Sequence, residues 1–79
     1  MFQDKVVVIT GGAGGIGKCI AEEFKKADAK VCIIDIAENP YFVGDIGDEV
    51  TLRSFAEKVI SEHGKVDYLI NNAPPFAYV

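Results

Sequence analysis

Residues 10–17 read TGGAGGIG and stand directly behind the apolar run KVVVI. Five of these eight positions are glycine. Glycine gives up more backbone entropy on folding than any other residue, so the stretch is costly to order. Either it is a flexible turn, or it is a bare backbone surface shaped to touch something flat and anionic. Its neighbours decide between the two.

Upstream, Lys5 to Thr10 (KVVVIT) is a continuous branched apolar run, the pattern of a strand covered on both faces. Downstream, Ile16, Ile20 and Phe24 recur at intervals of four, with Lys18, Glu22, Lys25 and Lys26 elsewhere, which predicts an amphipathic helix. Asp28 and Ala29 make a turn, and Lys30 to Asp35 (KVCIID) forms a second strand of the first type. Only residues 36–40 separate it from Tyr41-Phe42-Val43. Five extended residues reach at most about 17 to 18 Å, so the third strand can pair only as a stub. From Asp45 the period is helical again. Leu52, Phe55, Ala56, Val59 and Ile60 are expected on one face, with Asp48 and Glu49 near the start and His63-Gly64 at the end. Residues 65–71 (KVDYLIN) complete the series as a strand with large apolar side chains on both faces. The succession predicts an α/β domain whose sheet is mainly parallel, with helical crossovers.

A glycine-rich turn between a buried strand and a helix has a definite use. One glycine permits the tight turn, the next lets the backbone approach a pyrophosphate, and the last lets the helix pack against the strand. The free N–H groups and dipole of the helix then face the phosphates. Two such patterns overlap here: Gly12, Gly14 and Gly17 in G-x-G-x-x-G, and Thr10, Gly11, Gly15 and Gly17 in T-G-x-x-x-G-x-G. A dinucleotide site also needs an acidic residue about 20 positions on, to accept hydrogen bonds from a ribose. Asp35 ends the second strand, 18 residues after Gly17. The glycines are therefore read as a phosphate-facing surface and Asp35 as a ribose ligand.

Composition narrows the alternatives. A net charge of −4, from 8 basic and 12 acidic residues, offers no basic stripe to nucleic acid or to an anionic membrane. The amino terminus MFQDKVVVIT lacks a signal-peptide pattern and no apolar stretch is long enough to span a bilayer, so a cytoplasmic location is expected. Cys19 and Cys32 fall inside regular elements and are read as free, small apolar residues. No His/Cys/Asp/Glu cluster has metal-ligand spacing, and no serine sits on a strand-to-helix turn. His63 is read as a dipole partner at a helix end.

From Lys5 to about Ala73 the sequence resembles the short-chain dehydrogenase/reductase family. The resemblance rests on TGGAGGIG, on Asp35, on Asp45-Ile46 within GDIGDE, and on Asn71-Asn72-Ala73. It implies a Rossmann-like three-layer parallel sheet of strand order 3-2-1-4, present over residues 1–79 as a partial dinucleotide-binding domain. It implies cofactor contacts from Gly11, Gly14, Gly15, Ile16 and Gly17, a ribose contact from Asp35, and an adenine contact from the Asp45 carboxylate beside the Ile46 backbone. Asn72 and Ala73 would line the cofactor's ribose and the start of the nicotinamide cleft. The cofactor is expected to be NAD, because Asp35 would repel a 2′-phosphate while Ile36 and Ala37 offer it no cation.

The chain departs from the family after Ala73. The family continues N-N-A-G, whereas here Pro74 opens an atypical apolar tail, residues 74–79. The family's catalytic serine and Tyr-x-x-x-Lys pair have no counterpart in these 79 residues, so no catalytic residue is assigned. Cofactor binding without turnover is expected. The competing expectation is a non-catalytic module that self-associates through the open edge of strand 65–71.

Overall fold

The structure, a computed structural model, describes residues 2–72. Along the chain run β1 (Val6–Thr10), α1 (Gly15–Lys26), β2 (Lys30–Asp35), β3 (Phe42–Val43), α2 (Glu49–His63) and β4 (Tyr68–Asn71). The four strands form one sheet of order β3-β2-β1-β4 in which every neighbouring pair is parallel. This is the strand order that the resemblance implies.

The two faces of the sheet explain the branched runs. Val7 and Ile9 of β1, with Ile33 of β2, pack with Ala21 of α1 and Ala29. Val6 and Val8, with Cys32 and Ile34, pack with Phe55 and Val59 of α2. All five residues of β1 are buried, because a central strand with a helix on each side has no wet face. The result is three layers, α1, sheet and α2.

Short connections are held by specific bonds. Asp28 takes a left-handed φ of 67° at the α1–β2 turn, a conformation that aspartate tolerates better than most residues. Between β2 and β3, Asn39 closes the turn almost alone. Its Oδ1 accepts the Tyr41 and Phe42 N–H groups, each at 2.9 Å, and its Nδ2 donates to the Ala37 and Phe42 carbonyls, each at 3.0 Å. The short connection thus returns beside β2 and pairs two residues, Phe42 with Ile34 and Val43 with Asp35. At the end of α2, Gly64 adopts φ 76° and donates its N–H to the Ile60 carbonyl at 2.8 Å.

Four sequence expectations are corrected. The last strand is shorter than residues 65–71, because Asp67 stops the ladder: its N–H donates to the Val6 carbonyl at 2.9 Å while its carboxylate accepts the Val6 N–H at 2.8 Å. That strand is also not apolar-buried on both faces. Ile70 packs on the α1 side, whereas Leu69, in register with Val8 on the α2 side, is 66% exposed. On α2, Phe55 and Val59 face the core while Leu52, Ala56 and Ile60 are exposed. Cys19 is exposed rather than packed, although both cysteines are free as expected.

Candidate functional site

The glycine loop leaves β1 at the carboxyl edge of the sheet, between the ends of β2 and β4. In open parallel sheets this is where the strand order reverses and where ligands bind. Gly11 makes the turn with φ 73°, donating its N–H to the Ile34 carbonyl at 2.9 Å. Gly12 is a packing residue. A Cβ there would stand 3.0 Å from the Ile33 side chain and 3.2 Å from that of Ile9.

Gly17 fits the helix against the loop. A Cβ at this position would fall on the Gly11 carbonyl oxygen and lie 2.6 Å from Nδ2 of Asn72. That amide donates to the same carbonyl at 3.0 Å. Gly11, Gly17 and Asn72 therefore form one close-packed knot joining β1, α1 and β4. Thr10 extends it: its Oγ1 donates to Oδ1 of Asn71 at 2.8 Å and accepts the Asn72 N–H at 3.1 Å.

Gly14 and Gly15 are different. Among the described residues, nothing beyond the adjoining chain lies within 4 Å of a Cβ built on either. Gly14 is the N-cap of α1 with φ −158° and ψ 173°, extended backbone open to any residue. Gly15 has φ 57°, which favours glycine on conformational grounds. The first turn of α1 has no side-chain cap and no acidic residue, while Lys25 and Lys26 occupy its last turn. The amino end of the helix thus presents its N–H groups and positive dipole to the space above Gly14 and Gly15. Ile16, in that first turn, is 74% exposed.

Asp35 stands on the β2 side of this space. Its Oδ2 accepts the Ala13 N–H at 3.0 Å and its Oδ1 accepts the Ala37 N–H at 2.9 Å. Asp45 follows β3 and Gly44. Its Oδ1 accepts the Gly47 N–H at 2.8 Å, shaping the turn into α2, and its neighbour Ile46 packs on the α2-side core. Ala73 lies outside the described residues, as does the tail 74–79. Gly11 to Gly17, Asp35 and Asn72 are thus brought to one edge of the sheet, with Asp45 and Ile46 on the segment that follows β3. Ala13 and Asn39 were missed by the sequence reading, which placed Thr10 in the glycine motif without a role of its own. Ala13 acts through its backbone and carries no side-chain signal; the Asn in IAENPYF was legible as a turn residue.

The groups whose titration is displaced lie away from the loop. Burial pushes the Cys32 thiol up, against an opposing hydrogen bond with Tyr41. Burial, together with the Glu62 carboxylate that its hydroxyl meets at 2.9 Å, pushes Tyr41 up. At the amino end of β4 the Val6 N–H and the Lys65 ammonium lower Asp67. Among the described residues no group of three or more His, Cys, Asp or Glu is placed to hold a metal ion, and no helix is long and apolar enough to cross a membrane.

Residues 5–75 match the family model described as short chain dehydrogenase. The chain belongs to the short-chain dehydrogenase family. Tropinone reductase-like 1 of Erythroxylum coca is 33% identical over 85 residues, an overlap of 91% of this chain and 31% of that protein. Among solved structures, the ligand-free aldohexose dehydrogenase of Thermoplasma acidophilum superposes with a TM-score of 0.82 at 32% identity, over 91% of this chain and 30% of that one. The 3-ketoacyl-(acyl-carrier-protein) reductase of Brucella melitensis, solved in complex with NADH, gives 0.81 at 30% identity, over 87% and 34%. This short-chain dehydrogenase sequence therefore spans about a third of the length of the relatives it matches.

Proposed function

We propose that the carboxyl edge of this sheet binds NAD, with the pyrophosphate over Gly14, Gly15 and Ile16 at the amino end of α1. The observation that carries the reading is the emptiness above Gly14. Neither its φ nor, among the described residues, its non-neighbouring surroundings require glycine, so the missing side chain is read as room for a ligand. An uncapped helix end without a first-turn acid supplies the electrostatic complement to a phosphate. Asp35 would accept the adenosine ribose hydroxyls, for which its carboxylate keeps lone pairs beyond the two already used. Asp45 and Ile46 would border the adenine, and Asn72 and Ala73 the path toward the nicotinamide. The same carboxylate of Asp35 would oppose a 2′-phosphate, which favours NAD over NADP.

In the family reading, a complete oxidoreductase would pass hydride between the nicotinamide and an alcohol or carbonyl. The residues of this chain contribute binding and orientation of the cofactor. The 79-residue chain is proposed to bind without turnover, in a cytoplasmic setting that leaves Cys19 and Cys32 as thiols. Calorimetric titration with NAD and NADP tests this. Saturable NAD binding, weaker NADP binding and no NADH production across a panel of alcohols are expected; equal affinities, or turnover that survives repurification, would overturn the corresponding parts.

A second reading, self-association, is favoured by one observation. β4 is the outer strand of the sheet among the described residues, and its Leu69 (66%) and Tyr68 (43%) are exposed. Pairing of two copies along β4 would cover this edge. Concentration-dependent sedimentation is the expected result, and a monomer at every concentration would refute it.

A further inference from the structure

Both carboxylate oxygens of Asp35 are engaged within the chain itself. The bond from Ala13 crosses 22 residues of sequence to tie the middle of the glycine loop to the end of β2. The bond from Ala37 fixes the backbone as it leaves that strand. At its two ends the loop is held by Gly11, bonded to Ile34 and Asn72, and by the start of α1, where the Lys18 N–H reaches the Gly14 carbonyl at 3.2 Å. Between these ends, Asp35 grips the backbone next to Gly14.

We propose that Asp35 is a positioning residue for the glycine loop. In the nucleotide-free protein it holds Ala13, and through Ala13 it sets the backbone that would meet a pyrophosphate. The second half of this statement rests on the dinucleotide reading above; the first half does not. The chemistry requires an ionised carboxylate of this length. It is acceptor-only on both oxygens, with roughly four lone-pair sites, so two backbone donors leave two for ribose hydroxyls. An asparagine presents an NH₂ group at one of the two positions and so faces one of the N–H groups donor to donor. A glutamate places the carboxylate one methylene further out, where it does not span both amides. Substituting Asp35 to admit a 2′-phosphate therefore loosens the loop at the same time.

The test is amide hydrogen exchange by NMR on the full chain without nucleotide, followed by phosphorus-31 titration with inorganic pyrophosphate. In the wild type, Ala13 and Ala37 exchange at least about tenfold more slowly than an unstructured chain, as hydrogen bonds to a charged acceptor demand. In Asp35→Asn at least one of the Ala13 and Ala37 amides accelerates about ten- to a hundredfold while the Val7 and Ile9 amides keep their protection. If Asp35→Asn does not fold, Asp35→Glu is measured instead, with the same acceleration expected at one amide or both. Pyrophosphate separates positioning from a ribose contact by the sign of the change. Removing a negative charge alone tightens anion binding; loss of loop geometry weakens it, by threefold or more. A wild-type Ala13 amide exchanging at the unstructured rate, or a substitution to which both the Ala13 and Ala37 amides are indifferent, overturns the anchor. Pyrophosphate binding that tightens in Asp35→Asn overturns its role in phosphate binding. A wild type that protects Ala13 yet binds no pyrophosphate supports the anchor and refutes the dinucleotide reading.

Discussion

Replacing Gly17 by alanine adds one methyl group where α1 meets the backbone of the glycine loop. Its Cβ would fall on the Gly11 carbonyl oxygen, and 2.6 Å from the Asn72 amide nitrogen. The obstacle is main chain held by two hydrogen bonds, Gly11 N–H to Ile34 at 2.9 Å and Asn72 Nδ2 to Gly11 O at 3.0 Å, so it cannot swing aside as a side chain would. Three effects compete. In a helix, alanine is preferred over glycine by about 0.8 to 1 kcal/mol. Overpacking costs roughly 1 to 3 kcal/mol, and loss of the Asn72 bond a further 0.5 to 1.5 kcal/mol or so. The steric effect wins, leaving the variant about 1 to 3 kcal/mol less stable. At about 4 to 8 °C per kcal/mol for a domain of this size, thermal melting followed by circular dichroism should fall by roughly 5 to 20 °C. A Gly17→Ala chain that melts at or above the wild-type temperature would show that α1 does not pack on the loop in this way.

Asp67 has its carboxyl lowered by the Val6 N–H and by Lys65, so its contribution to stability is present above the ordinary value near 3.8 and is lost as pH falls through the lower folded value. Urea midpoints of Asp67→Asn should therefore lie below wild type at pH 7 and approach it as pH falls below the ordinary carboxylate range; a gap that stays constant with pH would refute the linkage. Leu69→Lys should shift the chain toward monomer with little loss of stability, while Ile70→Lys, which enters the α1-side core, should unfold it; sedimentation and melting of the pair distinguish edge from core. Asp35→Ala should weaken NAD binding by about tenfold or more without NADP rising to the affinity that NAD has in the wild type, since the lost hydrogen bonds serve the loop as well as the ribose. Calorimetry with both nucleotides checks it, and a variant that binds NADP as tightly as wild type binds NAD would contradict it.

The buried strands were legible because both of their faces are covered: KVVVIT and KVCIID carry apolar residues, all of them branched except Cys32, at every central position. The stub at Phe42–Val43 was legible from reach alone. What misled was apolar residues at the margin. Ile16 shares the spacing of Ile20 and Phe24 but sits in the first turn of α1, at the carboxyl edge of the sheet, and is exposed. Leu52 and Ile60 keep the helical period of Phe55 and Val59, yet only the latter two meet the sheet. Periodicity reports which residues share a face, not how wide the surface opposite them is. In the loop, the packing of Gly17, the last glycine of both patterns, followed from the motif, whereas the bond between Asp35 and the Ala13 backbone left no trace in residue identity. A main-chain donor looks the same at every position of a sequence.

The gap above Gly14 is proposed to exist for a phosphate, and a valine placed there tests it. The extended backbone, φ −158° and ψ 173°, suits a β-branched residue, and among the described residues nothing beyond its chain neighbours lies within 4 Å of its Cβ. Losing a glycine cap and restricting the unfolded chain oppose each other, so stability should stay within about 1 kcal/mol of wild type. Gly15 is the poorer choice, because its φ of 57° would strain any valine whatever the ligand. NAD titration of Gly14→Val, with its melting temperature recorded on the same sample, is the decisive measurement. The expected result is a folded chain whose NAD affinity has fallen by about tenfold or more, the effect of obstructing one hydrogen bond to a charged group. A folded Gly14→Val chain that binds NAD as tightly as wild type would contradict the account.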